Sequence, residues 1–181
     1  MHKLYVFSGA SGVGKSTVLN QVMAKRTDLR FSVSATTRDP RPGEVDGQSY
    51  YFIDKDRFEA MIREDAFVEY DAHMGNYYGT PKFQLEEKLE TGSVVLDIEP
   101  NGAFNVKRWR PDAVLIFIAP PSPEELERRL RSRGDTSEEQ IRLRQERVLW
   151  EMEQSTKYDH IVINDRVETC VEEILKIMNE Q

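Results

Sequence analysis

The chain has 181 residues, 39% of them hydrophobic and 31% charged, a balance that fits one folded domain with a real core and excludes a disordered chain. Its net charge of -7 argues against nonspecific binding to nucleic acid, and its single cysteine, Cys170, excludes an internal disulfide. Three scattered histidines leave no metal-ligand cluster to read, and no apolar run approaches the ~20 residues of a membrane helix.

In chain order, the apolar run Leu4 to Phe7 predicts a short buried strand. It is too short for the core of a signal peptide and has no cleavage pattern, which predicts a cytoplasmic protein. It runs into GASGVGKST at residues 9–17. Gly9, Gly14, Lys15 and Ser16 satisfy GxxxxGK[ST], and the motif has the context it needs, strand LYVFS before it and helix STVLNQVMAKR after it. Glycines there let backbone N–H groups converge on a phosphate, while the helix aims its positive dipole end at the same point. The pattern predicts a nucleoside triphosphate cradled by Gly9, Ala10, Ser11, Gly12, Val13, Gly14, Lys15, Ser16 and Thr17. Lys15 bridges its β and γ oxygens and Ser16 ligates Mg2+.

From Ser32 to Tyr78 the texture changes. FSVS, QSYYFID and AFVEYDAHM read as shorter, half-exposed strands around the Pro/Gly-rich stretch RDPRPGEVDG, an inserted small lobe. Further strands follow at VVLDI (94–98), AVLIFI (113–118) and HIVIN (160–164). These β-branched runs barely alternate, so they predict strands buried on both faces in a parallel sheet covered by helices. Asp97, at the end of VVLDI, stands where a second acid near the metal belongs; a strand-end helix cap is the plainer alternative. Ser122 and Glu125 form a capping box. Seven arginines fall between Arg128 and Arg147, either as solvated, paired helix charges or as a clamp for a multiply charged anion. Residues 133–138, RGDTSE, have the composition of a mobile flap. The stripe Val167, Cys170, Val171, Ile174, Leu175, Met178 predicts a closing helix with Cys170 as a buried, inert thiol.

Four longer segments carry a resemblance. SVSATTRDPRPGEVDGQSYYF (32–52), EYDAHMGNYYGTP (69–81), LDIEPNGA (96–103) and RLRSRGDTSEEQIRLR (129–144) resemble guanylate kinases in order and spacing over nearly the whole chain. The resemblance implies an α/β fold forming one domain over residues 1–181. Its P-loop NTPase-type core would comprise 1–31, 82–127 and 145–181, with a lobe for the nucleoside monophosphate at about 32–81 and a lid at about 128–144. It further implies Mg2+-dependent transfer of the γ-phosphoryl group of ATP to GMP, and to dGMP, within purine nucleotide metabolism.

In that family the positions of Ser34, Arg38, Arg41, Tyr50 and Tyr78 hold the GMP phosphate, and forked guanidinium groups with hydroxyl donors suit a dianion. Glu69 and Thr80 match the positions that read guanine. A carboxylate accepts from N1–H and the exocyclic amino group while a hydroxyl donates to O6, and adenine offers the opposite pattern. Asp97 and Glu99 fall in the same GMP-binding set. Glu99 stands where many relatives carry aspartate, at the position contacting the guanine amino group, and Pro100 and Asn101 after it also depart from the common pattern. Arg133 and Arg144 match the lid arginines that swing onto the transferring phosphoryl group and, with Lys15 and Arg38, make the catalytic set. Asn164 either contacts adenine or caps a helix. No general base is required, because a phosphate oxygen of GMP is already anionic.

Two other readings are a catalytically silent binding module and a kinase for another acceptor, such as ribose 1,5-bisphosphate or a pyrimidine monophosphate. Silent modules typically lose the loop glycines and lysine, which are intact here; a sugar phosphate has no use for Glu69 and Thr80. Neither nucleic acid nor membrane is an expected partner, and monomer and homodimer both stay open.

Overall fold

In a computed structural model, the structure describes residues 2–73, 75–122, 124, 125, 128 and 138–181. They run β1 (Leu4–Gly9), α1 (Lys15–Lys25), β2 (Leu29–Phe31), β3 (Ala35–Thr36), β4 (Tyr51–Phe52), α2 (Lys55–Arg63), β5 (Phe67–His73) and β6 (Asn76–Pro81). Then follow α3 (Lys82–Thr91), β7 (Ser93–Asp97), α4 (Pro100–Trp109), β8 (Val114–Ala119), α5 (Glu138–Ser155), β9 (His160–Ile163) and α6 (Val167–Asn179).

Five strands form a parallel sheet in the order β2-β7-β1-β8-β9. The apolar runs explain it: every residue of β8 is buried, as are Leu4 to Ser8 of β1 and Val94 to Leu96 of β7, which requires helices on both faces. β9 departs from this expectation. It is an edge strand in which Val162 is buried while Ile161 and Ile163 are exposed. In a sheet of this type ligands bind beyond the carboxyl ends of the strands.

The chain divides into two compact units, one of residues 1–6, 28–97 and 101–113, the other of 7–27, 98–100 and 114–181. In the second unit Phe7, Val18, Val22, Ile116, Ile118, Val171 and Ile174 are fully buried where α1 and α6 pack together against the strands. Cys170 is buried among them, and burial pushes its thiol up to about 11, so it stays protonated and unreactive at neutral pH.

The first unit holds a second sheet, β4-β3-β6-β5, with a small core of Ala35, Phe58, Met61 and Phe67. Phe58 of α2 stacks on Phe67 at 4.4 Å and on Tyr77 at 5.1 Å between ring centroids. Asp54 caps α2 by accepting from Arg57 N–H at 2.7 Å. The segment FSVS is divided differently from the sequence reading. Phe31 ends β2 in the parallel sheet, and Ser32 N–H donates to the Val95 carbonyl at 2.9 Å. Val33 is bonded both ways to the buried Gln84 side chain of α3, which takes the place of a strand partner, so the lobe strand begins only at Ala35.

Candidate active site

The glycine-rich loop lies between β1 and α1, inside the second unit. Gly14 sits at φ +90, the left-handed region that favours glycine, and a Cβ there would meet the Asn164 side-chain nitrogen at 3.0 Å. At Gly9 a Cβ would meet the Ile118 carbonyl oxygen at 2.7 Å, so the backbone of β8 fixes that residue's identity. α1 has no side-chain cap and no acid in its first turn. The N–H groups of an uncapped helix start, with the dipole behind them, are an anion-binding arrangement, and Lys15 and Ser16 stand at its first two positions.

Three tethers hold this loop from beneath. Ala10 N–H donates to the Ile118 carbonyl at 3.4 Å, the Asn164 side chain donates to the Val13 carbonyl at 2.7 Å, and Ser11 N–H donates to Glu151 Oε2 at 2.9 Å. The Asn164 side chain thus fixes the loop. Glu151 is 1% exposed, and burial raises its carboxyl above the usual range, while Ser11 and Arg147 pull it back. Arg147 Nε donates to Glu151 Oε1 at 3.0 Å and its Nη2 lies 2.9 Å from Glu99 Oε2. Glu99 is seated by its neighbour Ile98, whose N–H donates to the Phe7 carbonyl and whose carbonyl accepts from Ser8 Oγ at 2.6 Å.

The candidate acceptor site lies in the first unit. Glu69 and Thr80 are register partners on β5 and β6, which turns both side chains to one face, and Thr80 Oγ1 donates to Glu69 Oε1 at 2.5 Å. Both residues are buried, and burial raises the Glu69 carboxyl above its ordinary range, with Thr80 opposing. The second carboxylate oxygen lies against Gly102 of α4, where a Cβ would stand 2.7 Å from it.

Tyr50, just before β4, meets Tyr78 of β6 edge to face at 6.0 Å, and the Arg38 guanidinium lies 5.6 Å from the Tyr50 ring and 5.8 Å from the Phe52 ring. Glu44 holds Arg38 with both oxygens, at 2.8 and 2.9 Å, and also accepts Arg41 N–H at 2.7 Å. The Arg38 bond holds Glu44 below the usual carboxylate range, followed by that of Arg41. Burial raises the Tyr50 hydroxyl, and the charge of Asp97 reaches it.

Tyr50, Tyr78, Arg38 and Asp97 are thus drawn together, as are Glu69 and Thr80. Arg41 follows in the same loop with its side chain in solvent, and Ser34 is half-buried beside β3, its carbonyl accepting from Tyr51 N–H at 2.9 Å. Arg133 lies outside the described residues, and Arg144 stands on α5. Ser122 Oγ accepts from Glu125 N–H at 3.1 Å, one half of the capping box, and Arg128 pairs with Glu125 at 2.7 Å, in keeping with a paired helix charge. Sequence reasoning missed Glu44, Gly102 and Glu151. For Glu151 a signal existed: with Val148 and Ser155 it lines one buried face of α5, an acid in an apolar position.

The family model described as guanylate kinase matches residues 1–181. A guanylate kinase of Thermus thermophilus is 49% identical over 180 residues, which cover 99% of this chain and 81% of that one. One from Trichodesmium erythraeum is 46% identical over 177 residues, covering 97% and 95%. The crystal structure of guanylate kinase from Anaplasma phagocytophilum superposes with a TM-score of 0.78 at 30% identity, covering 99% of this chain and 85% of that one. With this glycine loop, this carboxylate–threonine pair and a match along its whole length, the chain belongs to the guanylate kinase family.

Proposed function

We propose that the chain transfers the γ-phosphoryl group of ATP to GMP, and to dGMP, giving ADP and GDP, in the purine nucleotide metabolism of the cytoplasm. The observation that carries this reading is the buried Glu69–Thr80 pair. A carboxylate kept out of water beside a hydroxyl is costly unless a ligand uses it, and guanine presents the complementary donors and acceptor. A site that depends on such bonds rejects a base with the wrong polarity by roughly 10⁴ or more.

In this reading residues 32–81 form the acceptor lobe, and Ser34, Arg38, Arg41, Tyr50 and Tyr78 receive the GMP phosphate. Residues 9–17 hold the triphosphate, with Lys15 on its β and γ oxygens. A hydroxyl at the first turn of α1 and the carboxylate ending β7 are the hard oxygen donors that magnesium takes, so Ser16 and Asp97 fit the ion. The ion would supply charge neutralisation to the phosphates. Arg133 and Arg144, on a lid over about 128–144, stabilise the charge of the transferring group and exclude water. With GMP already anionic, the side chains have to align the reactants and neutralise charge, and no proton acceptor is assigned.

The test is ADP release from ATP and Mg2+ across GMP, dGMP, AMP, CMP, UMP, dTMP and ribose 1,5-bisphosphate. GMP and dGMP alone should support rapid turnover; turnover with the sugar phosphate or a pyrimidine nucleotide in preference to GMP would overturn the assignment, and ATP binding without turnover on any acceptor would leave a binding module.

A further inference from the structure

Glu99 occupies a position whose family counterpart touches the guanine amino group, yet here its carboxylate is taken up by Arg147. Arg147 in turn bonds Glu151, and Glu151 bonds the backbone of the glycine loop at Ser11. All four residues lie in the second unit. We propose that Glu151 and Arg147 are positioning residues for the donor triphosphate, and that Glu99 serves this donor side by seating Arg147.

The physical reason is electrostatic. A buried carboxylate on the loop that receives a triphosphate repels its own ligand unless a cation neutralises it. Glu151 nevertheless stays there, because its oxygen fixes Ser11 N–H and with it the path of the loop. Arg147, forked between two carboxylates, lets the tether persist without the repulsion. The Glu99–Arg147 arm is the weaker one, since its side chains are 56% and 40% exposed, whereas that of Glu151 is 2% exposed. The effects are therefore graded along the chain of contacts.

The inference rests on the reading that residues 9–17 hold ATP, so its test is a binding measurement made without acceptor. Titration calorimetry with the β,γ-imido analogue of ATP and Mg2+ should give a Kd that rises roughly tenfold in Arg147→Gln, the order expected for losing a supporting charge. Arg147→Lys should recover part of the loss. Adding Glu151→Gln to Arg147→Gln should also restore binding, because the neutral amide still accepts from Ser11 while the uncompensated charge is gone; a purely structural role predicts a double variant worse than either single one. In steady state Arg147→Gln should raise KM for ATP and leave KM for GMP unchanged, and Glu99→Gln should leave KM for GMP within about twofold.

If the unsubstituted protein failed to bind the analogue, the reading of the loop itself would fall. If it bound and Arg147→Gln bound equally well, or if the double variant showed no rescue, the positioning role alone would fall. A rise in KM for GMP greater than that for ATP in Glu99→Gln would return Glu99 to the acceptor side and overturn its placement here.

Discussion

Replacing Gly102 by alanine tests the guanine contact without touching either residue assigned to it. Gly102 is the third residue of α4, its backbone tolerates any side chain, and alanine raises helix propensity by about 0.5–1 kcal/mol, so folding is not endangered on local grounds. The added Cβ would stand 2.7 Å from Glu69 Oε2, 3.1 Å from its Cδ and 3.3 Å from its Cγ. Ordinary contact begins at 3.4 Å, so the carboxylate must retreat by about 0.7 Å. Glu69 has little room for that, being 8% exposed and bonded through its other oxygen to Thr80. A hydrogen bond to a charged group contributes about 1.5–3 kcal/mol and tenfold corresponds to about 1.4, so losing one of the pair raises KM for GMP roughly tenfold to a hundredfold. KM for ATP should stay near that of the parent, and the melting temperature should fall by no more than several degrees, since an extra methyl in a packed site costs about 1–3 kcal/mol. Initial rates with each nucleotide varied in turn, beside a thermal melt, decide the matter. A folded Gly102→Ala protein with unchanged KM for GMP would refute the claim that Glu69, in this position, reads the base.

Lys15→Ala should lower kcat by about 10³-fold or more with the melt unchanged, as expected for a donor aimed at developing phosphoryl charge; near-normal turnover would remove its assigned role. Glu69→Gln should raise KM for GMP far more than for ATP. It should also alter stability with a definite sign. The raised carboxyl binds its proton at higher pH when folded than when unfolded, so its contribution favours folding below the unfolded pKa and is lost as pH rises through the folded one. The amide variant should therefore melt higher than the parent at neutral pH, with the gap closing in acid; the opposite trend would show that burial does not raise the Glu69 carboxyl. Glu44→Ala frees both Arg38 and the Arg41 backbone, so KM for GMP should rise several-fold with KM for ATP unaffected, a split that initial rates read directly.

The glycine loop, its strand and its helix were legible because their geometry depends on neighbours in sequence: left-handed Gly14 and the uncapped α1 follow from GVGKST alone. The buried strands were legible for the same reason, since an apolar run needs no partner to be recognised. Where a residue's state depends on something distant, the sequence was mute. FSVS reads as one strand, but Val95 and Gln84, more than fifty positions away, split it between a sheet and a side-chain clasp. The spacing of Glu151 with Val148 and Ser155 hints at a buried acid, but its partner Ser11 lies 140 residues earlier and nothing near Glu151 in sequence names it. Glu44 sits in plain view within RDPRPGEVDG, yet nothing in that string says that its carboxylate closes back on Arg38. Likewise β9 reads as doubly covered because its composition does not record that it ends the sheet.

The glycine-rich loop is finished by groups that the ribosome makes late. Residues 9–17 emerge early, while Ile118, Glu151 and Asn164, which clasp Ala10, Ser11 and Val13, follow much later, the last of them 151 positions behind its partner. At roughly 5–20 residues per second the nascent polypeptide carries an unclasped loop for about eight to thirty seconds. Under the proposed function, ATP should therefore stabilise the completed protein and not its precursors.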